Sequence, residues 1–284
     1  MTTLHVKFPR EWPGWTTKEY TLRSAHPSCS KEGTSFTVIV DSETNSDYSS
    51  DSPVFRASVV NSSNCQSGAV VALKFAFRGD LISYLEEEVE VYEVALRSLQ
   101  AKTVPRCYGL YTGHREDGEP IACLVLEYWG ECIDKPFHCL PLNVRMRILE
   151  QIGEIHRQGL IHGDFAERNV LELDGDIRII DFDQTRPHDC QCRMDFRPGE
   201  AAPDEQDFGC SHLWKLCKSD MRIWGQPSIG EPPQGVLSLK VRYRLRSRSK
   251  DIQTYRLLQR DLQPSTTHSI PNSCSFPSAI NDIH

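Results

Sequence analysis

The chain has 284 residues, 39% hydrophobic and 25% charged, which is enough for one large domain or two modest ones and excludes a fibrous or wholly disordered protein. Its formal charge is -7, but residues 225–284 carry +4 and the first 224 carry -11, which argues against nucleic-acid or anionic-membrane binding by the body of the chain. The opening residues hold charges and proline where a secretory apolar core would stand, and no run approaches the roughly 18 apolar residues of a membrane span; the expectation is an intracellular protein, cytoplasmic or nuclear, with its cysteines reduced.

Residues 1–35 read as an N-terminal extension. An apolar run predicts a strand over 36–40, and the polar run DSETNSDYSSDS behind it predicts a loop. VVALKFAF, within 69–77, is β-branched and apolar on both faces, the pattern of a buried strand, with Lys74 its odd member. Asp80 stands as an N-cap before a helix over 81–99, in which Leu81, Leu85, Val89, Tyr92, Leu96 and Leu99 recur at spacings of three and four. Strands over 104–111 and 121–128 follow, separated by a turn-rich segment.

The second half opens with a helix over 142–158, striped by Val144, Ile148, Ile152 and Ile155 and stopped at Gly159. After HGDFAERN, two short strands over 170–173 and 177–180 flank the hairpin signal Asp174-Gly175-Asp176, and Asp181 stands where the second one ends. A last helix from Asp204 puts Phe208, Leu213, Cys217, Met221 and Trp224 on one face. Residues 225–284 lack a core pattern and read as a disordered tail; its segment 240–250, KVRYRLRSRSK, is a solvated charge run, with nucleic-acid contact or nuclear import as the alternatives.

Phosphoryl transfer asks for a cation on the nucleotide phosphates, carboxylate and amide oxygens for magnesium, and a carboxylate facing the acceptor hydroxyl. The chain offers these in order. Lys74 sits on a strand, and a buried lysine needs a partner, which Glu88 on the next helix supplies, with Glu86, Glu87 and Glu90 as alternatives. Asp164 precedes Asn169 by five residues, the spacing at which a catalytic aspartate and a metal-binding amide share one loop, and Asp181 follows the hairpin. His162 packs beneath that loop in this reading.

Through Lys74, Glu88, Asp164, Asn169 and Asp181, in this order, the stretch from about 36 to 224 resembles the protein kinase-like superfamily, and more narrowly fungal kinase-like proteins with an HGD loop and a reduced C-lobe. The HGD form is also similar to that of RIO-type kinases and aminoglycoside phosphotransferases. The resemblance implies an α+β, two-lobed fold, with a β-rich N-lobe over 36–127 and a mainly helical, reduced C-lobe over 128–224. It implies ATP and magnesium as cofactors, a hinge at Leu126, Glu127 and Tyr128 contacting adenine through backbone groups, Asp164 as the catalytic base, Lys74 fixed by Glu88 on the phosphates, and Asn169 and Asp181 on the metal. Asp181-Phe182-Asp183, not the literal Asp207-Phe208-Gly209, takes the metal-binding place. The acceptor is a protein Ser/Thr by default, with a small-molecule hydroxyl as the alternative.

Departures from the pattern keep a catalytically weak pseudokinase, a binding or scaffolding module, open as the rival. No glycine-rich loop precedes Lys74: the corresponding region at 52–60, SPVFRASVV, has no glycine. Asp183 replaces a glycine, and Gly163 replaces the arginine that pairs with a phosphorylated activation segment. His188, Cys190, Cys192, Cys210, His212 and Cys217 are numerous enough for a zinc site, but their CxC and CxH spacings match no standard ligand pattern, and reduced core thiols are the reading.

Overall fold

The computed structural model describes residues 2–9, 18–25, 35–41, 52–60 and 69–225. Nearly all of the polar run before β4 and the tail from 226 lie outside them. The strands β1 (Thr3–Lys7), β2 (Glu19–Ser24), β3 (Ser35–Val40), β4 (Val54–Val60), β5 (Val70–Ala76), β6 (Cys107–His114) and β7 (Pro120–Glu127) close a barrel in the order β1-β2-β6-β7-β5-β4-β3. The pairing is antiparallel throughout except between β1 and β3.

Side chains alternate across each strand, so one set fills the barrel: Leu4 and Val6, Tyr20 and Leu22, Phe55 and Ala57, Val71, Leu73 and Phe75, and Ile121, Cys123 and Val125. Phe75 stacks on Phe77 with centroids 4.7 Å apart, and Phe8 meets Phe55 edge-on at 5.2 Å. Two of these strands correct the sequence reading, because residues 1–35, expected as an extension, supply β1 and β2. Their signal is the alternation Leu4/Val6 and Tyr20/Leu22, only two apolar residues in each case, with Pro13-Gly14 as the turn signal between them. The glycine-free region expected to correspond to the phosphate loop is itself β4, paired to β3 and β5; the β3–β4 connection lies outside the described residues.

β5 and β7 are covered on both faces, which is why they read as continuous apolar runs. With Val71, Leu73 and Phe75 pointing into the barrel, Lys74 faces outward, toward α1 (Ile82–Glu93), which buries Leu85, Glu88, Val89 and Tyr92 against that face. The helix predicted over 81–99 ends early: a separate 3-10 turn, Arg97–Leu99, follows, and Leu96 and Leu99 stay buried without helical continuity. Asp80 does not cap it either. It lies in the 3-10 turn Gly79–Leu81, and its carboxylate is held by the Arg78 guanidinium at 2.5 Å.

After β8 (Glu131–Cys132), α2 (Leu142–Arg157) places Ile148, Leu149, Ile152 and Ile155 in the core. β9 (Leu160–Ile161) leads into the HGD segment, β10 (Val170–Leu173) and β11 (Asp176–Ile179) form the hairpin with Asp174 and Gly175 both at positive φ, and β12 (Arg186–Pro187) pairs with β9. The single final helix expected from Asp204 is two pieces, α3 (Glu205–Phe208) and α4 (Ser211–Lys215), with a π turn over Leu216–Asp220. Gly209 causes the break: its φ is +80, and a Cβ there would lie 2.8 Å from the Gln191 carbonyl oxygen. Phe208, Leu213, Cys217, Met221 and Trp224 are nonetheless all buried.

The architecture is mixed α/β, with one core inside the barrel and a larger one running from Leu85 and Leu124 through Ile148 and Ile179 to Leu213 and Trp224. That larger core crosses the boundary at 127/128 drawn from the sequence. Among the described residues no helix is long and apolar enough to cross a membrane.

Candidate functional site

Three distant segments meet at Lys74. Its Nζ lies 2.7 Å from Glu88 Oε2 on α1 and 2.5 Å from Asp181 Oδ1, two residues past β11. Glu88 is fully buried, and its second oxygen accepts the N–H of Phe182 at 3.2 Å, so one carboxylate ties the strand, the helix and the post-hairpin segment together. Glu86 is exposed, and Glu87 and Glu90 line a small cleft with Asp183. Burial opposes the charge on Lys74, but Glu88, Asp181 and Asp183 outweigh it and hold the ammonium above the ordinary lysine range. Burial pushes the Glu88 carboxyl up and Lys74 pulls it back; the ammonium, touching two acceptors at once, is the group that carries the proton.

Asp181 holds a φ of +71, a left-handed conformation that a non-glycine residue adopts at a cost of about 1–3 kcal/mol and only where its surroundings enforce it. They do so here on both sides. His162 Nε2 donates to the Ile180 carbonyl at 2.7 Å, and the Phe182 ring sits edge-on to Tyr92 at 5.3 Å and near His162 at 5.0 Å. His162 thus packs beneath the loop, 1% exposed, with Nδ1 buried and unpartnered. Burial lowers its pKa from the usual 6.5, against the pull of the Ile180 carbonyl. Above that value both folded and unfolded chains hold a neutral ring; as pH falls through it, only the unfolded chain gains a proton, and stability is lost. Thermal melting followed toward acid pH is expected to fall more steeply in the wild type than in His162→Gln.

Asp164 and Asn169 share one tight loop. The Asn169 side-chain Nδ2 donates to the Asp164 backbone carbonyl at 2.8 Å, the Asn169 backbone carbonyl accepts the Ile180 N–H at 3.0 Å, and the residue is 4% exposed. The Asp164 carboxylate points out, bound to Arg168 at 2.5 Å. Gly163 has a φ of +82, and a Cβ there would lie 2.0 Å from the Gln184 carbonyl oxygen. The glycine of HGD is therefore demanded by the close passage of the 182–185 segment. Gly163→Ala is expected to cost at least about 1–3 kcal/mol from backbone strain alone, read as a lowered denaturant midpoint with an unchanged slope.

Glu127 and Tyr128 stand at the end of β7 with their backbone N–H groups in use, Glu127 donating to Arg106 O at 2.8 Å and Tyr128 to Val70 O at 3.4 Å. The Glu127 carboxylate takes an ion pair from Arg178 at 2.6 Å, and the Arg178 guanidinium lies 3.3 Å from the Trp129 ring centroid. Sequence reading passed over Arg178, 5% exposed; its signal is a lone arginine in the apolar strand DIRII. The literal Asp207-Phe208-Gly209 lies elsewhere: Asp207 is exposed on α3, and Phe208 packs on Trp224.

The donor set suits a hard cation. Asp181 and the fully engaged Glu88 contact Lys74, Asp164 contacts Arg168, and Asp183 lies within electrostatic reach of Asp181 and Asp164, an excess of negative charge around the two cations. Burial and the neighbouring Asp181 push the Asp183 carboxyl up to about 6. With its Nδ2 engaged, Asn169 offers only its carbonyl oxygen. An all-oxygen set of carboxylates and an amide matches magnesium rather than a softer metal.

Comparison with known proteins covers part of this region, the stretch that holds Asp164, Asn169 and Asp181 but not Lys74 or Glu88. A RIO domain family model matches residues 142–196. The KEOPS complex subunit Bud32 of Pyrococcus abyssi (strain GE5 / Orsay) is 33% identical over 64 residues, 21% of this chain and 29% of the length of that relative.

Proposed function

Since the chain belongs to the protein kinase-like superfamily, we propose that it is an ATP- and magnesium-dependent phosphotransferase of two-lobed design, working in the cleft between the barrel and the helical portion. The observation that carries this reading is the contact of Lys74 Nζ with both Glu88 and Asp181, residues 14 and 107 positions away along the chain. Lys74, kept charged and fixed by Glu88, holds the nucleotide phosphates. Asp181 and Asn169 hold magnesium, which when bound shields phosphate charge and aligns the terminal phosphoryl group. Asp164 orients the acceptor hydroxyl and takes its proton, on a loop pinned through Asn169. With the N–H groups of Glu127 and Tyr128 engaged, an adenine edge at the end of β7 meets the carbonyls of this segment and the backbone of Trp129.

The acceptor remains a protein Ser/Thr in the first instance. A small-molecule hydroxyl is the alternative; an open, polar cleft of about 370 Å³ is lined by Phe137, Phe165, Glu167, Asp220 and Arg222, with Phe165 one residue past Asp164 in the chain. Similarity to a complex subunit supports work alongside protein partners. The pseudokinase reading draws on Asp183, a carboxyl crowded against Asp181 where a glycine would leave room.

Melting of the full chain with ATP, with and without magnesium, followed by an assay of ATP turnover and autophosphorylation, separates these readings. Magnesium-dependent stabilisation with turnover supports the enzyme. Stabilisation without turnover supports the binding module, and no response to either ligand removes both.

A further inference from the structure

Four side chains that the phosphotransfer site does not use converge near the β9–β12 pair that precedes the HGD loop. His156 comes from the last turn of α2, His188 and Cys190 from the stretch after β12, and Cys210 from the residue preceding α4. One donor atom from each lies within 4.8 Å of every other. Cys210 Sγ is 3.4 Å from His188 Nε2 and 3.7 Å from His156 Nδ1, and the two rings meet edge-on at 4.9 Å.

We infer that His156, His188, Cys190 and Cys210 form a tetrahedral zinc site that fastens the 186–210 segment to α2. Zinc bound at about 2.3 Å to sulfur and 2.0–2.1 Å to nitrogen sets neighbouring S and N ligands roughly 3.6 Å apart, and the two Cys210 separations bracket that value. Two thiolates with two imidazoles are a donor set that selects zinc over the hard cations suited to the phosphotransfer cleft.

Packing of reduced thiols explains the cluster less well. Only one of the two ring nitrogens facing Cys210 takes its S–H proton, and the other is left to donate an N–H to sulfur, a weak acceptor. The segment also needs fastening, for residues 188–199 contain no helix or strand. The spacing matched no standard pattern because the ligands come from three separate parts of the chain, and His156 was absent from the sequence candidates. Of those candidates, Cys192 instead accepts the Met194 N–H at 3.3 Å, and the His212 ring lies 5.8 Å from that of His188, outside the four. A metal here would brace the base of the HGD loop, since β12 pairs with β9 immediately before His162.

The test uses the full chain, purified under reducing conditions, stripped with chelator and reloaded with Zn²⁺ or Co²⁺. One zinc per chain is expected to survive dialysis, and the Co²⁺ form is expected to show intense tetrahedral visible bands with thiolate charge transfer. Cys190→Ser and Cys210→Ser are expected to lower zinc retention at least tenfold, while His212→Ala retains it. If the serine variants fail to fold, the wild-type Co²⁺ spectrum decides. An octahedral spectrum, no bound metal, a Cys190–Cys210 disulfide in the metal-free protein that resists reduction, or loss of zinc in His212→Ala with retention in Cys190→Ser each overturns the assignment. None of these readouts depends on phosphotransfer.

Discussion

Lys74→Met is expected to lose nucleotide binding and about 3–5 kcal/mol of stability together, because it leaves the fully buried Glu88 carboxylate without its counter-charge. Asp181 loses the same partner, but it is about a third exposed and recovers part of the loss from water. The two effects separate in the double variant Lys74→Met, Glu88→Leu. Replacing both members of a buried pair by apolar groups of similar size restores part of the stability, less the Phe182 N–H that loses its Glu88 acceptor, whereas the phosphate-binding cation is still missing. Chemical denaturation should therefore show recovery in the double variant, and ATP-dependent stabilisation should not return. Recovery of nucleotide binding would mean that Lys74 serves the fold alone; a stability loss under 1 kcal/mol in Lys74→Met would mean that the pair contributes little to the core.

Four members of this constellation stand out in the sequence because each breaks a local pattern, whereas Glu88 is one of several glutamates on its helix and is singled out only by the fold. Lys74 interrupts an apolar strand, Asp164 and Asn169 sit between a helix and a hairpin, and Asp181 ends a β-branched run. Long periodic elements were legible for the same reason: α2 matches its stripe almost to the residue, and β10 begins and ends where the hairpin signal sets it. What stayed hidden depends on contacts between distant segments. β1 and β2 have two inward residues each and become strands only by closing the barrel against β3 and β6. The early end of α1 and the break at Gly209 likewise follow from packing, in the second case against Gln191. Gly163 was read as a lost arginine, but its physical meaning is steric: Gln184 passes too close for any side chain. The four-residue cluster around Cys210 shows the limit most clearly, since no spacing rule joins position 156 to 188 and 210 before the chain is folded.

Asp164→Ala is expected to behave in the opposite way to Lys74→Met, with activity lost and the fold kept. The Asp164 side chain is 42% exposed, and its ion pair with the exposed Arg168 is of a kind that contributes at most about 1 kcal/mol. The loop holds its shape through the Asp164 backbone carbonyl, which alanine retains, so Asn169 stays in place. Removing a group that orients a hydroxyl and accepts its proton typically slows turnover about 10²–10⁴-fold. The melting temperature and the shift with magnesium and ATP should therefore match the wild type while phosphoryl transfer falls by that factor. Arg168→Ala frees the carboxylate and is expected to leave the magnesium–ATP shift intact. Equal turnover in wild type and Asp164→Ala would remove Asp164 from the role of base, and absence of turnover in both, with the nucleotide shift preserved, would leave a binding module that holds magnesium and nucleotide without transferring the phosphoryl group.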